Sequence, residues 1–227
     1  MKEKETFEDQ NNENDNNVKK AEVDNGAGKP FRSQRDNKEK PASTCNVTSM
    51  IIALCAAGYP VDTFAPKGEQ PEDALMRFIY SDAATLKRWE QIDPKKEIPP
   101  NQWHAVLAYG AGRFLKTFGF DPAAVTFRTD ASIEEITSAI KAGGAAVVSG
   151  QFSQNGKPLH HIVAAVGYGE DKDGFFFIID DPWGNHKTDY KDHNGKGVKM
   201  HLSDFNKIMK PLNAAKKWAH IIRRFEK

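Results

Sequence analysis

Two cysteines, a pair of adjacent histidines and a pair of adjacent aspartates carry most of the reactive chemistry of this chain: Cys45 and Cys55, His160-His161, and Asp180-Asp181. A thiol becomes a nucleophile only as thiolate, and a helix N-terminus favours that form because unpaired N–H groups and the helix dipole stabilise negative charge. Cys45 opens the run CNVTSMIIALCAAG, in which Val47, Met50, Ile51, Leu54 and Cys55 recur at the spacing of one helical face. Cys45 thus falls at the helix start, whereas Cys55 lies in the apolar stripe, where a thiol stays protonated. The plain alternative for Cys45 is a small buried hydrophobe, a common fate of free cysteine. His160-His161 and Asp180-Asp181 sit at the open ends of two apolar runs joined by the turn sequence EDKDG. If those runs pair as a hairpin, the histidines and aspartates meet, since cross-strand Cβ atoms lie ~5 Å apart and diagonal ones ~7 Å. A carboxylate that orients a histidine beside a thiol is the arrangement of nucleophilic catalysis. Alternation puts His161 on one face with Val163 and Ala165. The register that decides between Asp180 and Asp181 is open at this level.

The elements that must position these groups follow from periodicity. The first 28 residues hold eight acidic residues, four lysines and six asparagines against four sizeable apolar residues, Met1, Phe7, Val18 and Val23. Such a stretch cannot offset its ordering entropy and is expected to be disordered. It carries a charge of −4, which leaves the remainder at about +5 of the net +1. Residues 29–227 are enough for one domain with a full core. Residues 29–44 read as an extended lead-in, and the helix from Cys45 closes at Gly58 and Pro60. Residues 61–130 read as mostly helical. Pro71 with Glu72 and Asp73 starts one helix, with a further turn through Leu86 and Trp89. Asn101 caps another that runs through Trp103, Val106, Leu107, Phe114 and Leu115 to Gly119. Ser132 and Glu135 form a capping box for a short helix striped with Ile133, Ile136 and Ile140. Strands are expected over 145–152, 160–169 and 175–181, with SQNGKP as a turn and 183–197 as a loop. VKMHL, a helix capped by Ser203 and a final strand WAHIIRRF end the chain. Helices first and strands afterwards give an α+β fold.

Several classes are excluded. No apolar run approaches the ~20 residues of a membrane-spanning helix, so no membrane span is expected. The N-terminus lacks the apolar region of a secretory signal, and the expectation is cytoplasmic synthesis, with action at the cell wall or outside the cell after release left open. Two cysteines ten residues apart form neither a disulfide framework nor a zinc pattern. The near-neutral charge argues against nucleic-acid binding. Oligomeric state is not encoded in any readable way. Among the other histidines, His104 beside Trp103 reads as packed or surface, and for His186, in the loop after Asp181-Pro182, bordering a cleft is the lesser reading. His193, His201 and His220 read as structural or solvated. Trp183 either walls the site or anchors its loop.

Three short blocks, in order, resemble the C39-like cysteine peptidases, which are papain-like. They are Gln34-Arg35-Asp36-Asn37 with Thr44-Cys45-Asn46-Val47-Thr48-Ser49, then His161 to Tyr168, then Asp181-Pro182-Trp183-Gly184. The resemblance spans most of residues 30–185. It implies a papain-like fold, with an N-terminal helical part followed by an antiparallel sheet, and a hydrolase of amide bonds. It also implies roles: Cys45 as nucleophile, His161 as base, Asp181 as its orienting partner, and Gln34 with the Cys45 backbone N–H as oxyanion donors. Asn46-Val47 stands where the family commonly has Gly-Pro, and Gln34 lies eleven residues before Cys45, further than the pattern leads one to expect. Neither a metal nor an organic cofactor is implied. The substrates implied are peptides or the peptide part of peptidoglycan, as in bacterial or phage enzymes. Two other readings use the same residues: an acyltransferase or glutamine deamidase built on the triad, and a binding module that keeps the fold without catalysis. The segment 1–28 is expected to act as a propeptide, tether or interaction arm.

Overall fold

A computed structural model gives the fold, and it describes residues 22–226. The helical part comprises α1 (Cys45–Ala56), α2 (Pro71–Ser81), α3 (Ala83–Ile92) and α4 (His104–Thr117). Helix α1 is buried along its whole length after Cys45, not on a single face as its periodicity suggests. Its polar residues are each matched. Thr48 accepts from Asn37, Ser49 donates to the Ile162 carbonyl, and Asn46 donates to the Asn101 carbonyl. Buried polar groups need such partners, and here the partners fix the helix against the lead-in segment, the sheet and the turn before α4.

Helix α2 begins with Pro71 as expected, and its first-turn acids turn inward. Asp73 accepts the backbone N–H groups of Lys38 and Glu39 at 3.1 and 3.0 Å, and Glu72 faces Arg32. The lead-in is therefore held in two short 3₁₀ turns, Gln34–Asp36 and Pro41–Ser43, and is not simply extended. Asp82 caps α3 and takes a two-pronged ion pair from Arg113 of α4 at 2.6 and 2.8 Å. That pairing, chiefly the Arg113 hydrogen bonds, lowers the Asp82 carboxyl to about 2.

The sheet is antiparallel throughout, with strands β1 (Val23–Asp24), β2 (Val125–Ser132), β3 (Ala145–Gln154), β4 (Lys157–Asp171), β5 (Gly174–Asp180), β6 (Val198–His201) and β7 (Lys216–Ile222). The main path runs β2-β7-β3-β4-β5-β6, and β1 pairs with β4. Helix α5 (Ile133–Lys141) follows β2, and α6 (Leu202–Ile208) follows β6. Helices α1, α2 and α4 pack against one face, with Ala164 and Val166 of β4. Helices α5 and α6 pack against the other, with Val163 and Ala165.

Four expectations are corrected. Strand β2 occupies 125–132, inside the stretch read as mostly helical. It is an outer strand with an exposed face carrying Thr126, Thr129 and Asp130, so it lacks the apolar alternation of a buried strand. Residues 22–28 belong to the fold and not to a disordered tail. Val23 and Asp24 pair with Tyr168 and Gly167, and Asn25 donates to the carbonyls of Ile140 and Gly144, both at 2.8 Å. The rest of that stretch, residues 1–21, lies outside the described residues. Finally, the Ser132 cap forms, accepting from Glu135 N at 3.0 Å, but the Glu135 side chain pairs with Arg128 and so leaves the reciprocal half of the box unmade. The residue preceding α6 is His201, which makes no side-chain cap bond, and not the expected Ser203. Among the described residues no helix is long and apolar enough to cross a membrane.

Candidate active site

The β3–β4 hairpin closes through Asn155-Gly156, both with left-handed backbone (φ 51° and 71°). That geometry suits Asn-Gly and locks the register of β4. His161 consequently pairs with Gly150 of β3, near the open end of the sheet. Its neighbour across the second hairpin is set by a bulge in β4 between Ala165 and Gly167. The bulge pairs Ala164 with Asp180 and leaves Asp181 just beyond the strand end.

This placement separates the two aspartates. Asp180 points away, accepts from Gly197 N at 2.8 Å and is driven up to about 6 by burial. Asp181 is fully buried and its Oδ1 accepts from His161 Nε2 at 2.6 Å. The same oxygen accepts from Trp183 N at 2.9 Å. Backbone bonds fix the turn: Asp181 N donates to the Gly195 carbonyl at 2.9 Å. Gly195 has no room for a side chain, because a Cβ there would lie 2.1 Å from the Asp181 carbonyl oxygen.

His161 is 3% exposed and bridges two groups. Nε2 is taken by Asp181, and the Cys45 thiol lies close enough to act on the same ring. Burial alone would push the imidazolium down. The Asp181 carboxylate and the Cys45 thiol outweigh it, and the ring is raised to about 10. A histidine so placed stays protonated through neutral pH. Phe152 meets the ring edge-on at 5.4 Å and Tyr190 at 6.1 Å, so its flanks are dry.

Cys45 is the first residue of α1 and half-buried, and no side chain caps the helix start. The Asn46 amide is used structurally, reaching Asn101 across 2.8 Å. Cys55 is buried ten residues on, and burial raises its thiol.

Gln34 is buried, and its Nε2 donates to the Pro41 carbonyl at 2.8 Å. Among the described residues its side chain makes no hydrogen bond to Cys45, His161 or Asp181. Its backbone is nonetheless tied to the site, since Gln34 N donates to the Pro182 carbonyl at 3.0 Å. Arg35 donates to the Trp183 carbonyl at 2.7 Å, and its guanidinium lies 3.7 Å from the centre of the Trp183 ring. Asn37 donates to both Thr44 and Thr48 at 2.9 Å, bracing the start of α1. The three sequence blocks thus converge on one place. Trp183 anchors its loop, with Nε1 on Gln154.

Sequence reasoning missed Tyr190. Its ring is buried against His161, and burial, with the nearby Asp181 charge added, raises the phenol. Asp189 and Tyr190 both have left-handed backbone (φ 55° and 62°), a conformation with no signature in residues of this type. His186 packs edge-on to Phe152 at 5.6 Å and borders the site from a groove of about 470 Å³ shared with Lys207, Ile208 and Leu212. His104 is packed against Phe127 and His220, His201 pairs with Asp171, and His193 is exposed.

The architecture is shared with a solved structure. A crystal structure from Bacillus anthracis, of a protein assigned to the C39-like peptidases, superposes with a TM-score of 0.53 at 19% identity, covering 91% of this chain and 100% of that one. Bromelain protease from Ananas comosus in complex with the E64 inhibitor aligns at a TM-score of 0.49 and 12% identity, over 90% and 99% of the two chains. No curated protein sequence matches the chain. The model of the Peptidase_C39 like family matches residues 28–210, a span that contains every block described above, and the chain belongs to that family.

Proposed function

We propose that the protein is a cysteine hydrolase of peptide-type amide bonds. Cys45 is the nucleophile, His161 the proton carrier and Asp181 the group that orients His161. The observation that carries this reading is the buried 2.6 Å bond between His161 and Asp181, on a ring that the Cys45 thiol also acts on.

The reaction runs in two halves. The Cys45 thiolate attacks the carbonyl carbon, and the carbonyl oxygen takes the negative charge. The Cys45 N–H at the uncapped helix start and the second amide hydrogen of Gln34, free of Pro41, supply the donors for that oxyanion. As the tetrahedral centre collapses, the C–N bond breaks and His161 gives its proton to the departing amine. A thioester on Cys45 remains. His161 then takes a proton from water, the hydroxide carbon–oxygen bond forms, and the thiolate leaves with the acid as product. Asp181 keeps the imidazole in one orientation throughout and stabilises its charge.

Peptides, including the cross-linked peptides of peptidoglycan, contain the bonds this chemistry cleaves. The reading is tested by the mass of products formed from a peptide mixture. Hydrolysis splits a chain and adds one water across the two fragments. A +1 Da change at glutamine, or a new isopeptide link with an uncut backbone, would overturn it in favour of deamidation or acyl transfer.

A further inference from the structure

One lysine and two histidines from different elements, Lys210, His160 and His104, gather near the start of α1. His160 lies on the opposite face of β4 from His161, the face on which Ile162 packs toward α1. The Ile162 carbonyl is bonded to Ser49, about one helical turn from Cys45. His160 is two residues further out along the strand, which brings it toward the start of the helix. Its Nδ1 lies 3.0 Å from Lys210 Nζ.

Lys210 is held by its backbone. The β3–β7 pairing stops at Val148 and Ala219, and the segment Met209-Lys210 takes the next place beside β3, where Met209 bridges to Gly150. Lys210 N donates to the Ser149 carbonyl at 2.8 Å, and its own carbonyl accepts from Trp218 N at 2.7 Å. Among the described residues Lys210 has no carboxylate partner.

The opposing wall comes from α4. Asn46, next to Cys45, is bonded to the Asn101 carbonyl, and His104 follows three residues later as the first residue of α4. The His104 ring stacks on Phe127, with centroids 5.0 Å apart and planes 8° from parallel, and its Nδ1 lies 2.9 Å from His220 Nε2. His220 is fully buried, and its Nδ1 has no partner. An orphaned buried N–H is rarer than an unmet lone pair. The tautomer that follows puts the His220 proton on Nε2, donating to His104 Nδ1, and so places the His104 proton on Nε2. Burial lowers both rings, and the Lys210 charge adds to the effect at His104, which falls to about 4. His104 is thus a neutral donor beside a cation that lacks a counter-charge.

We infer that Lys210, His160 and His104 form an anion-binding subsite beside Cys45 that takes a carboxylate of a peptide substrate, an Asp or Glu side chain or a C-terminus close to the scissile bond. Its place in a substrate cleft rests on the hydrolase reading, but its preference for a carboxylate can be measured without catalysis. Two end-labelled peptide mixtures are prepared that differ only in carrying Asp and Glu or their amides Asn and Gln. Their binding to Cys45→Ala protein is followed by fluorescence anisotropy. The acidic mixture should bind about tenfold more tightly, as a charge-assisted hydrogen bond allows. The margin should shrink as salt is added. Lys210→Gln in the same background should abolish the preference, and Lys210→Arg should restore most of it. Equal binding of the two mixtures, no binding of either, or a preference that survives Lys210→Gln overturns the inference. Cleavage of either mixture by the unsubstituted protein is scored separately and bears only on the hydrolase reading.

Discussion

The Cys45→Ala protein should turn over any peptide that the wild type cleaves at least about 10⁴-fold more slowly, with fold and stability nearly unchanged. The size of the loss follows from the loss of the covalent route, since groups that act as one catalytic unit fail together when one is removed. The preserved fold follows from position. Cys45 is half-buried at a helix start and contributes little to the core. Cys55→Ala is the control. That thiol lies within the buried length of α1, so the substitution should cost about 1 kcal/mol of stability through lost packing and leave the rate within about twofold. Rates from peptide hydrolysis and midpoints from urea unfolding, measured on both variants, give the contrast. A Cys45→Ala protein that keeps a tenth or more of the wild-type rate would contradict the assignment.

Asp181→Asn should reduce hydrolysis by about 10²–10⁴-fold and also alter the pH dependence of stability. Asparagine fits the space and can still accept from Trp183, so packing is conserved, but the counter-charge to a buried imidazolium is gone. Burial is then opposed only by the Cys45 thiol and drives the ring toward its neutral form. The sign is set by the wild-type ring, which is raised to about 10 from an ordinary value near 6.5. The stability contributed by such a group is present in full below the ordinary value and lost as pH climbs through the raised one. The wild type should therefore exceed Asp181→Asn by about 3 kcal/mol at pH 6, the usual scale for breaking a buried pair. The margin should narrow as pH approaches 10. Urea titrations at the two ends of that range measure it, and a margin that is constant or grows with pH would argue against a charged pair in the folded protein.

The parts of the site that were legible in the sequence are those set by local chemistry. The start of α1 at Cys45, the Asn155-Gly156 turn and the Ser132 cap each depend on a few neighbouring residues, and each forms. A histidine could be placed near an aspartate without coordinates because the EDKDG turn joins the two runs that end in His160-His161 and Asp180-Asp181, and that hairpin closes at Asp171 and Gly174. The choice between Asp180 and Asp181 was not legible. It depends on the bulge between Ala165 and Gly167, and a shift of one residue exchanges the faces of a strand. Gly167 shows the reason for the irregularity only in three dimensions, for a Cβ there would meet the Val23 carbonyl oxygen of β1 at 2.3 Å.

Other features are unreadable because their partners are distant in sequence. Tyr190 reaches the histidine through a left-handed backbone pair within a polar loop, and nothing in KTDYKD announces a buried ring. Lys217 looks like a solvated charge on a final strand. It is fully buried and donates to the carbonyls of Asn206, Met209 and Pro211, the segment that presents Lys210. Strand β2 carries Arg128 and Asp130 where a buried strand would carry apolar groups, because it lies at the outer end of the sheet order. In each case tertiary position overrides the local pattern.

The alkylation rate of Cys45 as a function of pH, read by mass spectrometry with Cys55 as internal standard, tests the central assignment most directly. A histidine-paired thiol reacts as thiolate well below neutrality, whereas a free one gains reactivity only near ~8.5. The account predicts that Cys45 is already close to its maximal rate at pH 7, at least about 10²-fold faster than Cys55, and that His161→Ala removes this advantage. A wild-type Cys45 that reacts no faster than an ordinary thiol at pH 7, or one whose rate is untouched by His161→Ala, would contradict it.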